Sequence, residues 1–207
     1  MSFPVDMFMS ALVTLLVVID PPGCAPVFAS LTAGGPAEEI RAQAIRAVLV
    51  AGAILVAFAA VGQPFLAALG ISLDAFRIAG GIMLFLIAVD MVFEKRTQRR
   101  SERAQAAVEA EDVSVFPIAM PMIAGPGSIA SVMLLTSRAE DAGELVAVYA
   151  ALLIVLGLTL AALLAAGPLM ARVDARIEAV ITRLLGVVLA ALAAQIVIDG
   201  VKGALAA

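Results

Sequence analysis

The sequence predicts an all-α polytopic membrane protein with six transmembrane helices, arranged as two inverted repeats of three, the first helix of each repeat being broken mid-membrane. Three observations predict it. Of 207 residues, 63% are hydrophobic and 14% charged, at a mean hydropathy of +1.11, whereas soluble domains are roughly 45–50% apolar. The apolar residues gather in runs near the length of about 20 residues that crosses a bilayer as a helix. Two of these runs carry Pro and Gly at equivalent places, and the later run reads as a copy of the earlier one.

The first run, Phe3 to Leu31, is interrupted by Asp20-Pro21-Pro22-Gly23. Proline has no N–H and disfavours helical geometry in the residue before it, so the helix breaks there. Hydrocarbon cannot satisfy the freed backbone groups, so such a break must be buried in protein or line a wet cavity. The N-terminus, Met1 to Asp6, has no basic stretch and no small-residue cleavage signal, so it does not read as a removable signal peptide. The second and third spans are placed at about Ala42–Val61 and Leu73–Val92. The fourth, Val113–Leu135, is broken at Ala124-Gly125-Pro126-Gly127-Ser128, and Pro117 and Pro121 are expected to kink its first half. The fifth and sixth are placed at about Leu145–Met170 and Ala179–Val201. Pro4, Pro64 and Pro168 sit near span ends, where proline is tolerated. The chain thus divides into residues 1–93, a first three-helix repeat; 94–112, a charged loop; and 113–207, a second three-helix repeat.

At an offset of 104 residues Ile19 falls on Ile123, Pro22 on Pro126, Gly23 on Gly127, Leu31 on Leu135, Thr32 on Thr136 and Pro64 on Pro168. After a slip of two, Arg77 falls on Arg183, Gly80 on Gly186, Leu86 on Leu192 and Ala88 on Ala194. Each half holds three spans, an odd number, so a tandem copy enters the membrane from the opposite face. Connections one–two, three–four and five–six share a side and carry Arg41, Arg46, Lys95, Arg96, Arg99, Arg100, Arg103, Arg172, Arg176 and Arg183; the other side carries Arg77, Arg138 and Lys202. The positive-inside rule then puts the 94–112 loop in the cytoplasm and both termini outside. Inverted halves with interrupted helices at matching positions point to a secondary transporter whose site lies at the repeat interface.

Composition also narrows the chemistry. The chain has no His and one Cys, which removes His-based zinc sites and His-activated nucleophiles and any internal disulfide. Without paired catalytic groups or a Gly-x-Gly-Asp signature, an enzyme is not expected. No cofactor is implied, and no Walker motif offers direct ATP drive. There is no basic footprint for nucleic acid; the partners implied are membrane lipid and a small-molecule solute, with a homo-oligomer left open.

Asp20-Pro21-Pro22-Gly23 followed by Pro26, then Ile118-Ala119-Met120-Pro121 leading into Ala124-Gly125-Pro126-Gly127, together with Arg77-Ile78-Ala79-Gly80-Gly81 and Arg183-Leu184-Leu185-Gly186, resemble the MarC family of bacterial inner-membrane proteins over essentially the whole chain. The resemblance implies a multi-pass protein of the bacterial cytoplasmic (inner) membrane, placed with the LysE-type exporters. Some members are described as transporters of small neutral amino acids such as alanine, glycine, serine or threonine. The function so implied is an exporter or exchanger of such solutes by alternating access, against the alternatives of a passive pore or a transporter of another small solute.

A zwitterionic amino acid needs one place for its carboxylate and another for its ammonium. Half-helices resuming at Gly23-Cys24 and Gly127-Ser128 present unpaired N–H groups and a positive dipole end to a carboxylate. The candidate substrate-binding residues are therefore Asp20, Pro21, Pro22, Gly23 and Cys24 in the first break and Gly125, Pro126, Gly127 and Ser128 in the second. Asp20 either holds the ammonium, carries a coupling proton, or does no more than cap the following half-helix. Carbonyls freed by Pro21, Pro22 and Pro126 offer a shell for a coupling Na⁺. Ser128 is a candidate cap or ligand. Arg77 and Arg183 are candidate gating residues, pairing with acids such as Asp74 or Asp199, or else snorkelling anchors. Gln195 either bonds across helices or meets the solute.

Overall fold

The computed structural model describes residues 4–93, 112–166 and 175–206, and among them every regular element is helical. The helices are α1 (Val5–Ile19), α2 (Pro21–Leu31), α3 (Ala37–Ala68), α4 (Leu73–Val92), α5 (Ser114–Ile123), α6 (Pro126–Arg138), α7 (Ala142–Leu164) and α8 (Ala175–Ala206). Five stretches are long and apolar enough to cross a bilayer: Val5–Leu31, Ala37–Ala68, Leu73–Val92, Ala142–Leu164 and Thr182–Ala206; α5 and α6, bent by 52° at their junction, together make a sixth candidate. The charge run 94–111, Pro168, Met170 and Arg172 lie outside the described residues.

Local chemistry sets the boundaries. α3 begins after Pro36 and runs for 32 residues, about 48 Å at 1.5 Å per residue, well beyond the segment Ala42–Val61 expected from hydropathy. Glu38, Glu39 and Arg41 lower the hydropathy of its start without stopping the helix, and Pro64 is absorbed in its last turns. It ends where Gly70 takes φ +70°, with Gly70 N–H donating to Ala67 O and Ile71 N–H to Leu66 O, both at 3.0 Å. That is the glycine-terminated cap in which the last carbonyls are satisfied by the returning chain. Ser72 accepts from Ala75 N–H to open α4, and Asp141 accepts from Glu144 N–H to open α7. α7 stops at Leu164, short of Met170. α8 starts at Ala175, earlier than the Ala179 expected.

α5 is not a regular helix. Phe116 (φ −127°, ψ 125°) and Met120 (φ −132°, ψ 124°) are extended, as residues before proline prefer to be, and the peptide bonds into Pro117 and Pro121 are cis. Between them the chain makes two wide turns, with Ile118 N–H donating to Val113 O and Ala124 N–H to Ala119 O. The start of α5 is tied down by Asp112, which accepts from Ser114 N–H at 2.8 Å and pairs with Arg46 of α3. Ser114 first, then the Arg46 charge, holds the Asp112 carboxyl below the usual carboxylate range.

The broken spans form the centre. Of the most apolar window of Val5–Leu31, 72% is buried, against 33%, 28%, 39% and 28% for the windows of α3, α4, α7 and α8. Every residue of α6 from Ala130 to Thr136 is buried. The surrounding helices turn large apolar side chains outward, among them Leu49, Val61, Leu86, Leu153 and Leu184, the composition of a lipid-facing surface. Inside, Leu15, Phe28, Leu55, Ile118 and Leu152 are fully buried in one cluster. Since lipid is as apolar as these side chains, close packing rather than escape from water holds such helices together.

The packing follows a pattern. α1 and α2 lie on α7, α5 and α6 lie on α3, α1 meets α6, α2 meets α5, α3 meets α7, and α4 lies along α8. Exchanging the two halves of the chain maps α1–α7 onto α5–α3, α2–α7 onto α6–α3 and α1–α6 onto α5–α2, and the α3–α7 and α4–α8 pairs onto themselves. In the α4–α8 pair, Gly81 abuts Ala193 and Val197, Gly186 abuts Ala88 and Met91, and Gly200 abuts Asp74 and Arg77. Residue numbers rise along one helix as they fall along the other, so the two run antiparallel.

Candidate functional site

The first break is a single residue long. Asp20 adopts the left-handed conformation, φ 58° and ψ 66°, which Asp tolerates better than most side chains. Its N–H donates to Leu16 O at 2.9 Å, closing α1, and its carbonyl accepts from Cys24 N–H at 3.1 Å, opening α2. Its carboxylate accepts from Gly23 N–H at 3.2 Å. Pro21 and Pro22 fill the first two helical positions, where no N–H has an intrahelical partner anyway. The side chain is 2% exposed. Asp20 is thus a cap at both ends of one junction, and Cys24 donates its thiol to Ile19 O at 3.5 Å across it.

The second break is longer and has no side-chain cap. Ala124 (φ −92°, ψ 57°) closes α5, and Gly125 (φ −80°, ψ 171°) opens α6 with no side chain bonded to its first turn. Ser128 is buried but is not the cap. A Cβ on Gly125 would run into the Pro121 carbonyl oxygen, and one on Gly127 into Ile87, with Val18 and Leu84 also close. The two breaks share a burial pattern at the offset of 104: Pro22 and Pro126 are exposed, while Pro21 and Gly125, Gly23 and Gly127, and Cys24 and Ser128 are buried. Thr32 and Thr136 each return their hydroxyl to the carbonyl four residues back, Phe28 O at 2.8 Å and Val132 O at 3.0 Å.

The breaks lie at the same depth. Val18 of α1 faces Gly127 of α6, and Thr14 and Ser131 line one cavity a turn further along each helix. That antiparallel register sets Asp20 level with Gly125. Asp20 and a helix N-terminus without a side-chain cap therefore lie at one depth in the bundle.

The other expected residues are placed as follows. Arg77 bonds Asp74 on its own helix at 3.0 Å, and Asp199 pairs instead with Arg138, at 3.1 Å. Arg183 is exposed and, in the α4–α8 register, lies at the end of the bundle opposite Arg77. Gln195 donates to Asp199 one turn along its own helix at 2.7 Å. Gln195 apart, the expected residues do not include the lining of a cavity of about 40 Å³ between α1, α6 and α8, where Ser10, Thr14, Ser131 and Arg138 meet Gln195. The available signal is Ser128 and Ser131, three apart on one face of an otherwise apolar half-helix. A second cavity of about 130 Å³, at the far end of α2, is lined by Thr32, Gly35, Glu39 and Gln43. Among the described residues no three of His, Cys, Asp and Glu gather as a metal site.

Comparison with known proteins places this architecture. The family described as MarC family integral membrane protein matches residues 5–205. A UPF0056 membrane protein of Methanocaldococcus jannaschii is 39% identical over 199 residues, covering 96% of this chain and 97% of its own. The UPF0056 membrane protein YvbG of Bacillus subtilis is 34% identical, with 98% and 95% covered. The UPF0056 membrane protein YhcE of Escherichia coli is 33% identical, with 98% and 94% covered. No solved structure matches the chain. With spans, breaks and near full-length relatives in agreement, the chain belongs to the MarC family of multi-pass integral membrane proteins.

Proposed function

We propose that the protein is a secondary active transporter of small neutral amino acids, working by alternating access at the two broken spans. One observation carries the reading: Asp20 lies level with the N-terminus of α6, which no side chain caps. A zwitterion carries the complementary pair of charges. Its ammonium is drawn to Asp20, and its carboxylate to the N–H groups and positive dipole end at Gly125-Pro126-Gly127-Ser128. Gly127 is closed over by Val18, Leu84 and Ile87, so its backbone meets a solute only when those side chains move aside. The positive end of α2 is already taken by Asp20, so the two breaks play different parts.

The packing supports six crossings in two inverted repeats. If α5 and α6 dipped into the membrane and returned, α4 and α8 would run parallel, yet they run antiparallel. The exchange of packing partners between halves is what an inverted repeat produces, and such repeats rock about a site at their interface. We assign the protein to the cytoplasmic membrane with both termini outside, because the basic residues concentrate on the other face. Arg77 and Arg183, at opposite ends of the bundle, are positioned to act at the two faces in turn.

The test is uptake of labelled alanine, with glycine and threonine as competitors, into proteoliposomes under imposed proton or sodium gradients. Saturable, gradient-driven accumulation that is lost in Asp20→Asn is expected. Uptake no greater than in empty liposomes under every gradient rejects the amino-acid assignment, and uptake indifferent to gradients rejects coupling in favour of a passive pore.

A further inference from the structure

Ser131 is 1% exposed, and its hydroxyl has no hydrogen-bond partner among the described residues. Buried hydroxyls are nearly always satisfied, and one that is not calls for water or a ligand. It lines the cavity between α1, α6 and α8 together with Ser10 and Thr14, whose volume holds about three waters at 10–15 Å³ each. Thr32, Thr136 and Thr159 bond their own helices; no such bond is made by Thr14. The polar lining is therefore turned toward the cavity rather than spent on backbone.

The position is as informative as the lining. Thr14 is one turn from Val18, which abuts Gly127, and Ser131 is one turn from Gly127 itself. The inner end of the cavity thus stops one turn short of the breaks, at the Val18–Gly127 contact. At its other end stands Arg138, which bridges α6 to Asp199 of α8 at 3.1 Å, while Gln195 holds the second oxygen of Asp199 at 2.7 Å. Both charged side chains are about one-third exposed, 31% and 39%.

We propose that this cavity is the vestibule through which a small polar solute reaches the broken spans from the Arg138 end. The Ser131, Thr14 and Ser10 hydroxyls bind its polar groups in passage, and the Arg138–Asp199 pair is the gate that shuts it. The proposal rests on the transport reading above and assigns it a route and a latch. A neutral solute fits better than an ion of either sign, since the charges at the mouth cancel and the rest of the lining is hydroxyl, amide and the aliphatic side chains of Leu134, Leu135, Leu192 and Ile196.

The experiment introduces Ser131→Cys and follows its modification by a membrane-impermeant methanethiosulfonate ammonium reagent on purified protein in lipid nanodiscs, where both faces are open. The blanks are the wild type and the bridge variants without Ser131→Cys, because the one cysteine, Cys24, is fully buried but stands at the first break. Slow modification is expected with the bridge intact, and a rise of about fivefold when Asp199→Asn or Arg138→Gln removes a pair of this exposure. The charge swap Arg138→Asp with Asp199→Arg should return the slow rate. Leu153→Cys, on the lipid-facing side of α7, should stay unreactive throughout. Equal rates with and without the bridge, or an equal rise at Leu153→Cys, overturn the proposal. Gated labelling together with absent alanine uptake keeps the vestibule and rejects the solute; ungated labelling with alanine uptake intact rejects the vestibule alone.

Discussion

The two breaks carry matching Pro and Gly at an offset of 104 residues and are built in opposite ways. At the first, one residue turns the chain: Asp20 closes α1, opens α2 and takes up the Gly23 N–H. At the second, an irregular segment with two extended pre-proline residues leads through a 52° bend to a helix whose first turn no side chain caps. The matched elements are those of shape, Pro22 with Pro126 and Gly23 with Gly127. The unmatched element is charge. Two matched breaks thus set half-helices at one depth and differ in charge, the asymmetry on which the proposed transport of a dipolar solute rests.

Three substitutions probe that contrast, the largest effect first. Gly125→Ala should be the most damaging, because the new methyl meets a backbone oxygen, that of Pro121, which cannot step aside as a side chain can. Overpacking of this kind costs about 2 kcal/mol, roughly 4–8 °C in the thermal midpoint of a protein this size. Thermal unfolding in detergent reads it directly, and an unshifted midpoint would mean that the second break is loosely held. Next, Asp20→Ala should cost about 1 kcal/mol through loss of the cap, whereas Asp20→Asn, itself a good cap, should keep the midpoint nearly unchanged. Loss of alanine uptake in a stable Asp20→Asn protein separates the charge from the cap, and retained uptake would reduce Asp20 to a structural residue. The smallest effect is expected of Cys24→Ser, which makes the breaks alike at this position. A serine hydroxyl can donate to Ile19 O as the thiol does, so the change should stay within about 1 kcal/mol. A larger drop in the midpoint would show that the bulk of the sulfur, not its hydrogen bond, holds that junction.

Much of the fold is legible in the sequence because Pro, Gly and hydropathy act locally. The breaks fall where Pro21-Pro22-Gly23 and Gly125-Pro126-Gly127 stand, and Pro117 and Pro121 disrupt the first half of the fourth span as their chemistry requires. The ends of α3 are less legible, since Glu38, Glu39 and Arg41 mark where the hydrocarbon stops and not where the helix does. The cavity is hidden for another reason. Ser131 answers to Val27 in the first half, so comparing the halves draws attention away from it. The pairing of Arg138 with Asp199 joins residues 61 apart, and only the seating of α6 beside α8 brings them together. Asp74 pairs with Arg77 within α4, which leaves Asp199 for a partner that spacing alone does not reveal.

The lodging of α1 and α2 against α7 also sets a schedule for making the protein. Leu31 and Leu164 are separated by 133 residues of chain, which a ribosome needs about 7–27 s to add at 5–20 residues per second. For that interval the first broken span waits in the bilayer with the Asp20 junction lacking its α7 cover. A nascent chain arrested before Ala142 presents an acid and an interrupted helix to lipid, where hydrocarbon leaves their polar groups without partners.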